Sequence, residues 1–194
     1  MPDRKEALAL LGEWVPNENL RKHMLGVEAA VRHYARLQGG DEESWGLAGL
    51  LHDLDWERNP DEHPLPAARE LRARGYPEEV VHAILAHRPE VTGVVPETEL
   101  DRVLFACDEL AGFVHAVCLV RPTGIDDLTP KSVTKKLKDR AFAAGVSRAE
   151  VEKGVELIGL ERSQHIQNVI DGLWACAGEL GIRGSDVSGT ASAP

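Results

Sequence analysis

Residues 17–40, NENLRKHMLGVEAAVRHYARLQGG, decide the fold. Leu20, His23, Val27, Ala30, Val31 and Tyr34 recur at the three- and four-residue spacing that places side chains along one side of an α-helix. Asn17 is suited to accept the free N–H groups at the start of that helix, and Gly39-Gly40 stops it. A helix of this length with one apolar face needs other helices to cover it. No stretch of the chain shows the sustained alternation of a half-buried strand. The expected fold class is therefore all-α.

The same reading extends in both directions. Asp3 with Glu6 starts a short helix that runs to about Trp14 and is ended by Pro16. Asp41 caps a helix that turns Trp45, Ala48, Leu51 and His52 inward and runs into the acidic turn DLDWERNPDEHP. Short helices are expected from Pro64 to Arg74, stopped by Gly75, and from Pro77 to His87. Arg88-Pro89 and Gly93 read as loop, and Thr98 or Glu97 opens a long apolar helix through Leu119. Thr129-Pro130 starts a basic helix to about Phe142, and Ser147 with Glu150 forms a capping box for a helix near Val151–Leu160. The last helix carries Ile166, Val169, Ile170, Leu173 and Leu180 and ends at Gly181. One helical domain over 1–181 is expected, followed by a disordered tail over 182–194.

Composition narrows the function classes. The 194 residues include 32 acids and 22 Lys or Arg, a formal charge of −10, which argues against a polymeric nucleic acid as partner because such affinity rests on cations. Cys107, Cys118 and Cys176 are too far apart for a disulfide framework or a cysteine zinc site and read as small core residues. MPDRKEALALLGEW lacks the apolar run of a signal peptide, and no window is long enough for a membrane helix. A cytoplasmic protein with no membrane partner is the expectation. Eight His against two Tyr and three Phe turn attention to metal or acid–base chemistry.

Six residues stand where helix faces or helix ends can bring them together: His23, His52, Asp53, His63, His87 and Asp108. His23 and His87 lie on apolar faces, and Asp108 sits inside the most hydrophobic helix. A lone buried carboxylate costs several kcal/mol or takes up a proton, so Asp108 needs a partner. A divalent cation is one such partner, and nitrogen and oxygen ligands suit Mn, Fe, Co, Ni, Zn or Mg.

The order His…His-Asp…His…His…Asp, with LLHDLDWE at residues 50–57, resembles the HD-domain superfamily of metal-dependent phosphohydrolases. The resemblance covers about residues 20–122, with a C-terminal helical extension over about 129–181. It implies a helical bundle around a metal site with His23, His52, Asp53 and Asp108 as ligands of a first ion. EHP at His63 and AILAH at His87 are similar to the extra stations of binuclear members, which implies that Asp53 bridges two ions and that His63 and His87 hold the second. HD-GYP phosphodiesterases share that inventory, but their lysine after HD, their later double His and their GYP signature are missing here, which sets cyclic di-GMP aside. The implied chemistry is hydrolysis of a small phosphorylated compound, a nucleotide among the candidates. Metal coordination lowers the pKa of water from about 15.7 towards 7.

On this reading His52 and Asp53 are catalytic as well as ligating. Asp55, Glu57 and Glu28 are candidates to hold the outer nitrogens of the ligand imidazoles, and Asp55 alternatively assists proton transfer. Arg88, Arg121 and Lys135 are candidates to meet substrate phosphate. His115, two turns past Asp108, is a pocket candidate. His82 points about 140° away from His87 around its helix, and His33 and His165 are expected at the surface. Trp45, Trp56 and Trp174 read as packing. Lys131–Arg140 has a local balance of +4, either a solvated helix face or a phosphate-attracting rim. Two rivals remain: a mixed-valent di-iron oxygenase, which some HD-fold proteins with a similar ligand set are, and a non-catalytic, metal-stabilised binding domain.

Overall fold

The computed structural model describes residues 2–184, which build eleven helices. They are α1 (Arg4–Trp14), α2 (Glu18–Gln38), α3 (Glu42–Leu51), α4 (Leu65–Ala73), α5 (Glu78–Ala86), α6 (Pro89–Thr92), α7 (Glu99–Leu119), α8 (Pro130–Leu137), α9 (Arg148–Ile158), α10 (Arg162–Ala175) and α11 (Ala177–Leu180). No helix among them is long and apolar enough to cross a membrane.

The two long helices, α2 and α7, are the centre of the bundle. α2 packs against α3, α7 and α10, while α7 also receives α5 and α9. Val27, Ala30, Val31 and Tyr34 on α2 and Leu104, Leu110, Phe113 and Val114 on α7 are fully buried or nearly so. Each large side chain so placed stabilises the fold by about 1.5–3 kcal/mol relative to exposure. α3 can lie close to α2 because Gly49 faces it: a Cβ there would stand 2.8 Å from Glu28 Cα.

The starts of the helices follow their capping residues. The Asp3 and Glu6 carboxylates each accept from the other residue's backbone N–H at 2.9 Å, and Asn17 Oδ1 accepts from the N–H of Asn19 and Leu20. Gly39 ends α2 with φ +73°, a conformation that glycine adopts freely. At α9 only half of the expected box forms. Ser147 accepts from the Glu150 N–H, but the Ser147 N–H donates to Glu109 of α7 at 3.0 Å instead.

Four expectations need correction. α8 ends at Leu137 rather than Phe142, because the carbonyls of Asp139, Phe142, Ala143 and Val146 are gathered by the Arg148 guanidinium instead of continuing a helical ladder. Residues 89–92, expected as loop, form the single turn α6, with Pro89 in its first turn. The last helix breaks at Cys176 into α10 and α11. The start of the expected tail is packed: Ile182 is 1% exposed and its carbonyl accepts from the Ile125 N–H at 2.9 Å. Residues 185–194 of that tail lie outside the described residues.

His165, expected at the surface, is fully buried in α10. Its Nε2–H donates to the Ala106 carbonyl of α7 at 3.0 Å, which leaves Nδ1 to accept from the Tyr34 hydroxyl of α2 at 2.7 Å. One imidazole therefore ties α10 to both central helices. Burial depresses its pKa to about 4, so it is neutral in the folded protein.

Candidate metal centre

Two His residues reach the site by the same local device. His52 and His87 follow the last residues of α3 and α5, where carbonyls lack a partner from the next turn. His52 Nδ1–H donates to the Gly49 carbonyl at 2.9 Å, and His87 Nδ1–H donates to that of Ile84. Both rings are thereby fixed with Nε2 directed away from the helix. His63, in the turn before α4, gains the same orientation from a carboxylate. Its Nδ1–H donates to Asp55 Oδ1 at 2.7 Å, and Asp55 Oδ2 accepts from the Ala67 N–H at 2.9 Å.

The Nε2 atoms meet each other and the carboxylates. His23 Nε2 and His52 Nε2 are 3.2 Å apart and lie 3.0 and 3.3 Å from Asp108 Oδ1. His63 Nε2 and His87 Nε2 are 3.1 Å apart and lie 3.2 and 3.8 Å from Asp53 Oδ1. Asp53 faces both ways, because its other oxygen, Oδ2, is 3.6 Å from His23 Nε2 and 3.4 Å from His52 Nε2. The groups His23–His52–Asp108 and Asp53–His63–His87 each offer three ligand atoms within 4.8 Å of one another.

This donor set fits divalent cations. With Nδ1–H committed to protein acceptors, neutral His52, His63 and His87 present lone pairs to carboxylates, so acceptors face acceptors. Only positive charge reconciles them, as protons or as metal ions. The pKa directions agree. Burial opposes charge on His52, but Asp53 and Asp108 outweigh it and hold its pKa well above the ordinary histidine value. Burial likewise opposes charge on His63, and Asp53 and Asp55 prevail to raise it. Asp53 and Asp108 are driven below the usual carboxylate range despite burial, His52 being foremost in each case. Burial lowers His87.

His52, His63 and His87 are covered, whereas His23, Asp53 and Asp108 are partly exposed and open onto a cleft of about 260 Å³. Trp56, Arg88 and Glu109 line the rest of it, with Gly112 and Val146. The Arg88 guanidinium lies over the Trp56 ring, 5.5 Å from its centroid, and pairs with Glu90. Trp56, read from sequence as packing, is 40% exposed and stands edge-on to His63. Glu109 was missed. Burial and the neighbouring Asp108 raise its pKa to about 7, and the signal in the sequence was an acid beside Asp108 in an apolar helix.

The structure brings all six proposed ligands together, places Arg88 in the cleft and buries Asp55 completely behind His63. Asp55 has no open path to a reacting atom and positions His63 instead. Glu57 and Glu28 hold no ligand imidazole: Glu57 meets Asn17, and Glu28 is engaged by Arg4 and Arg32. Three expected substrate contacts do not line the cleft. Arg121 is paired with Asp127, Lys135 is exposed on α8, and His115 lies farther along α7, its Nε2 buried without a hydrogen-bond partner among the described residues.

A sequence model of the HD domain matches residues 20–112, a span that includes all six of these residues. The chain carries an HD domain. The family is one of metal-dependent phosphohydrolases, and the two His/Asp groups are its metal-binding candidates here. A ribonuclease Y from Oleidesulfovibrio alaskensis (strain ATCC BAA-1058 / DSM 17464 / G20) is 28% identical over 160 residues, covering 78% of this chain and 29% of that protein. The HD-domain chain thus spans under a third of that relative's length. No solved structure matches it.

Proposed function

We propose that this HD-domain protein is a binuclear metal-dependent phosphohydrolase that cleaves a phosphoric ester of a small compound, of nucleotide size. The observation that carries the reading is the two-faced Asp53, whose Oδ1 and Oδ2 address separate groups of imidazole lone pairs. His23, His52, Asp53 and Asp108 would hold one divalent ion, and Asp53, His63 and His87 a second. Four imidazoles and two carboxylates favour Mn, Fe, Co, Ni or Zn over Mg. Bound there, divalent ions supply charge for the phosphoryl oxygens and make water acidic enough to attack at neutral pH.

The chain's own residues then do the positioning. His52 and His87 hold their rings on helix-end carbonyls, and Asp55 holds that of His63. Arg88 stands at the cleft with a fork of N–H donors suited to a phosphate, so it is the cation on this chain best placed to orient the ester. The cleft of about 260 Å³ is of the scale of a small ester group rather than of an extended surface. The test is metal analysis of anaerobically purified protein joined to a screen of phosphomonoesters and phosphodiesters. Two ions per chain with hydrolysis are expected; His52→Ala should lose hydrolysis and the ion held with His23 and Asp108, and Asp53→Ala should lose hydrolysis and retention at both positions. Full metal content in those variants would remove the assignment, and oxygen consumption with a mixed-valence EPR signal would replace hydrolysis by oxygenase chemistry.

A further inference from the structure

The run Lys131–Arg140, set aside by the cleft, has a geometry of its own. Lys131, Lys135, Lys138 and Arg140 are all exposed, and none forms an ion pair among the described residues. Among the described lysines only Lys136 forms an ion pair, whereas most arginines are matched to an acid, as Arg4, Arg32, Arg36, Arg72 and Arg74 are, and Arg140 is not. Within the run only Lys136 has an acidic partner, Asp139. The four free cations line two adjoining concavities between α8 with the residues just after it and the starts of α9 and α10, of about 430 and 340 Å³, which share Thr134 and Lys138. Lys131 and Lys135 belong to the first, Arg140 to the second, and Lys138 to both. The acid lining them, Glu152, is engaged by Arg162.

We infer that the α8 face is a docking surface for the phosphate backbone of single-stranded nucleic acid. Two linked concavities with cations along them suit a chain of regularly spaced charges better than a single anion. The net charge of −10 does not forbid this, because at physiological salt charges beyond about 8–10 Å are largely screened and the local balance governs contact. An anionic bilayer is disfavoured, since surface-lying helices insert an apolar face, whereas Val133 of α8 is buried inside the protein. The cationic side chains present no aromatic platform, so the bases are not read. This surface stands independently of the hydrolase reading.

The experiment is fluorescence anisotropy with a labelled oligouridylate, repeated in increasing salt. With four phosphate contacts the slope of log K against log salt should be about −2.8, a roughly 50-fold loss between about 50 and 200 mM. Oligoadenylate should bind equally well. The triple variant Lys131→Ala/Lys138→Ala/Arg140→Ala should reduce the slope to about −0.7, while Lys131→Arg/Lys138→Arg should keep it. Addition of EDTA should leave strand binding unchanged even though it abolishes any metal-dependent hydrolysis. Absence of salt-dependent binding, indifference to the triple variant, or loss of binding on chelation would overturn the proposal. So would capture by phosphatidylserine vesicles without binding of either oligonucleotide.

Discussion

The His165 clamp makes a quantitative prediction about stability. The imidazole is neutral in the fold with a pKa of about 4, against 6.5 for an unperturbed histidine. Above pH 6.5 it is neutral in both the folded and unfolded chain and contributes no pH dependence. As the pH falls from 6.5 towards 4 the unfolded chain takes a proton that the folded chain refuses, so stability declines. The slope approaches about 1.4 kcal/mol per pH unit, and integration gives a loss of about 2 kcal/mol by pH 5. The proton would enter at Nδ1, where the Tyr34 hydroxyl now donates. Urea unfolding at pH 7.5 and pH 5 should therefore be compared between wild type and His165→Gln. Glutamine retains a donor and an acceptor but does not titrate, and all other ionisable groups cancel in the comparison. The wild type should lose about 2 kcal/mol more than the variant over this interval. Parallel stability-against-pH curves would refute the reasoning.

Three further outcomes are expected. Asp55→Asn removes the carboxylate that orients His63, and should weaken the Asp53–His63–His87 metal position by about 10–100-fold while sparing the other; calorimetric metal titration reads the two separately, and equal loss at both would contradict the assignment. Gly49→Ala places a Cβ 2.8 Å from Glu28 Cα, so α3 must move off α2; a cost of about 1–3 kcal/mol in urea unfolding is expected, with weaker metal binding because His52 moves too. Divalent ions should displace protons held on His52 and His63, whose pKa values the carboxylates raise, so metal affinity falls as pH is lowered. Calorimetry in buffers of different ionisation enthalpy should show net proton release at neutral pH.

What was legible in the sequence was what depends on local spacing. The helix around His23 could be read because its apolar period and both its caps lie within residues 17–40. His23, His52, His87 and Asp108 could be collected because each sits on an apolar face or a helix end, where a bare polar group demands a partner; His63, in a polar turn, and the bridging place of Asp53 came with the HD-domain resemblance. Contacts made across the fold could not be read. His165 looked peripheral because its partners, Tyr34 and Ala106, are far away in sequence. The end of the basic helix cannot be read from its own residues, because Arg148, beyond it in the chain, takes the carbonyls of the following turn. Arg121 and Lys135 had suitable chemistry, but their distance from the cleft belongs to the packing of α7 and α8 and leaves no trace in their neighbours.

The distribution of the six ligands along the chain also orders events during synthesis. Asp53, His63 and His87 have all been made before α7 begins, so the donors of one metal position exist while the bundle still lacks a central helix. The other position waits for Asp108, which arrives on α7 together with Leu104, Leu110 and Phe113. Completion of the ligand set and arrival of the second central helix are therefore delivered by one segment. Until that helix has been made, a growing chain offers passing metal ions at most the Asp53–His63–His87 group.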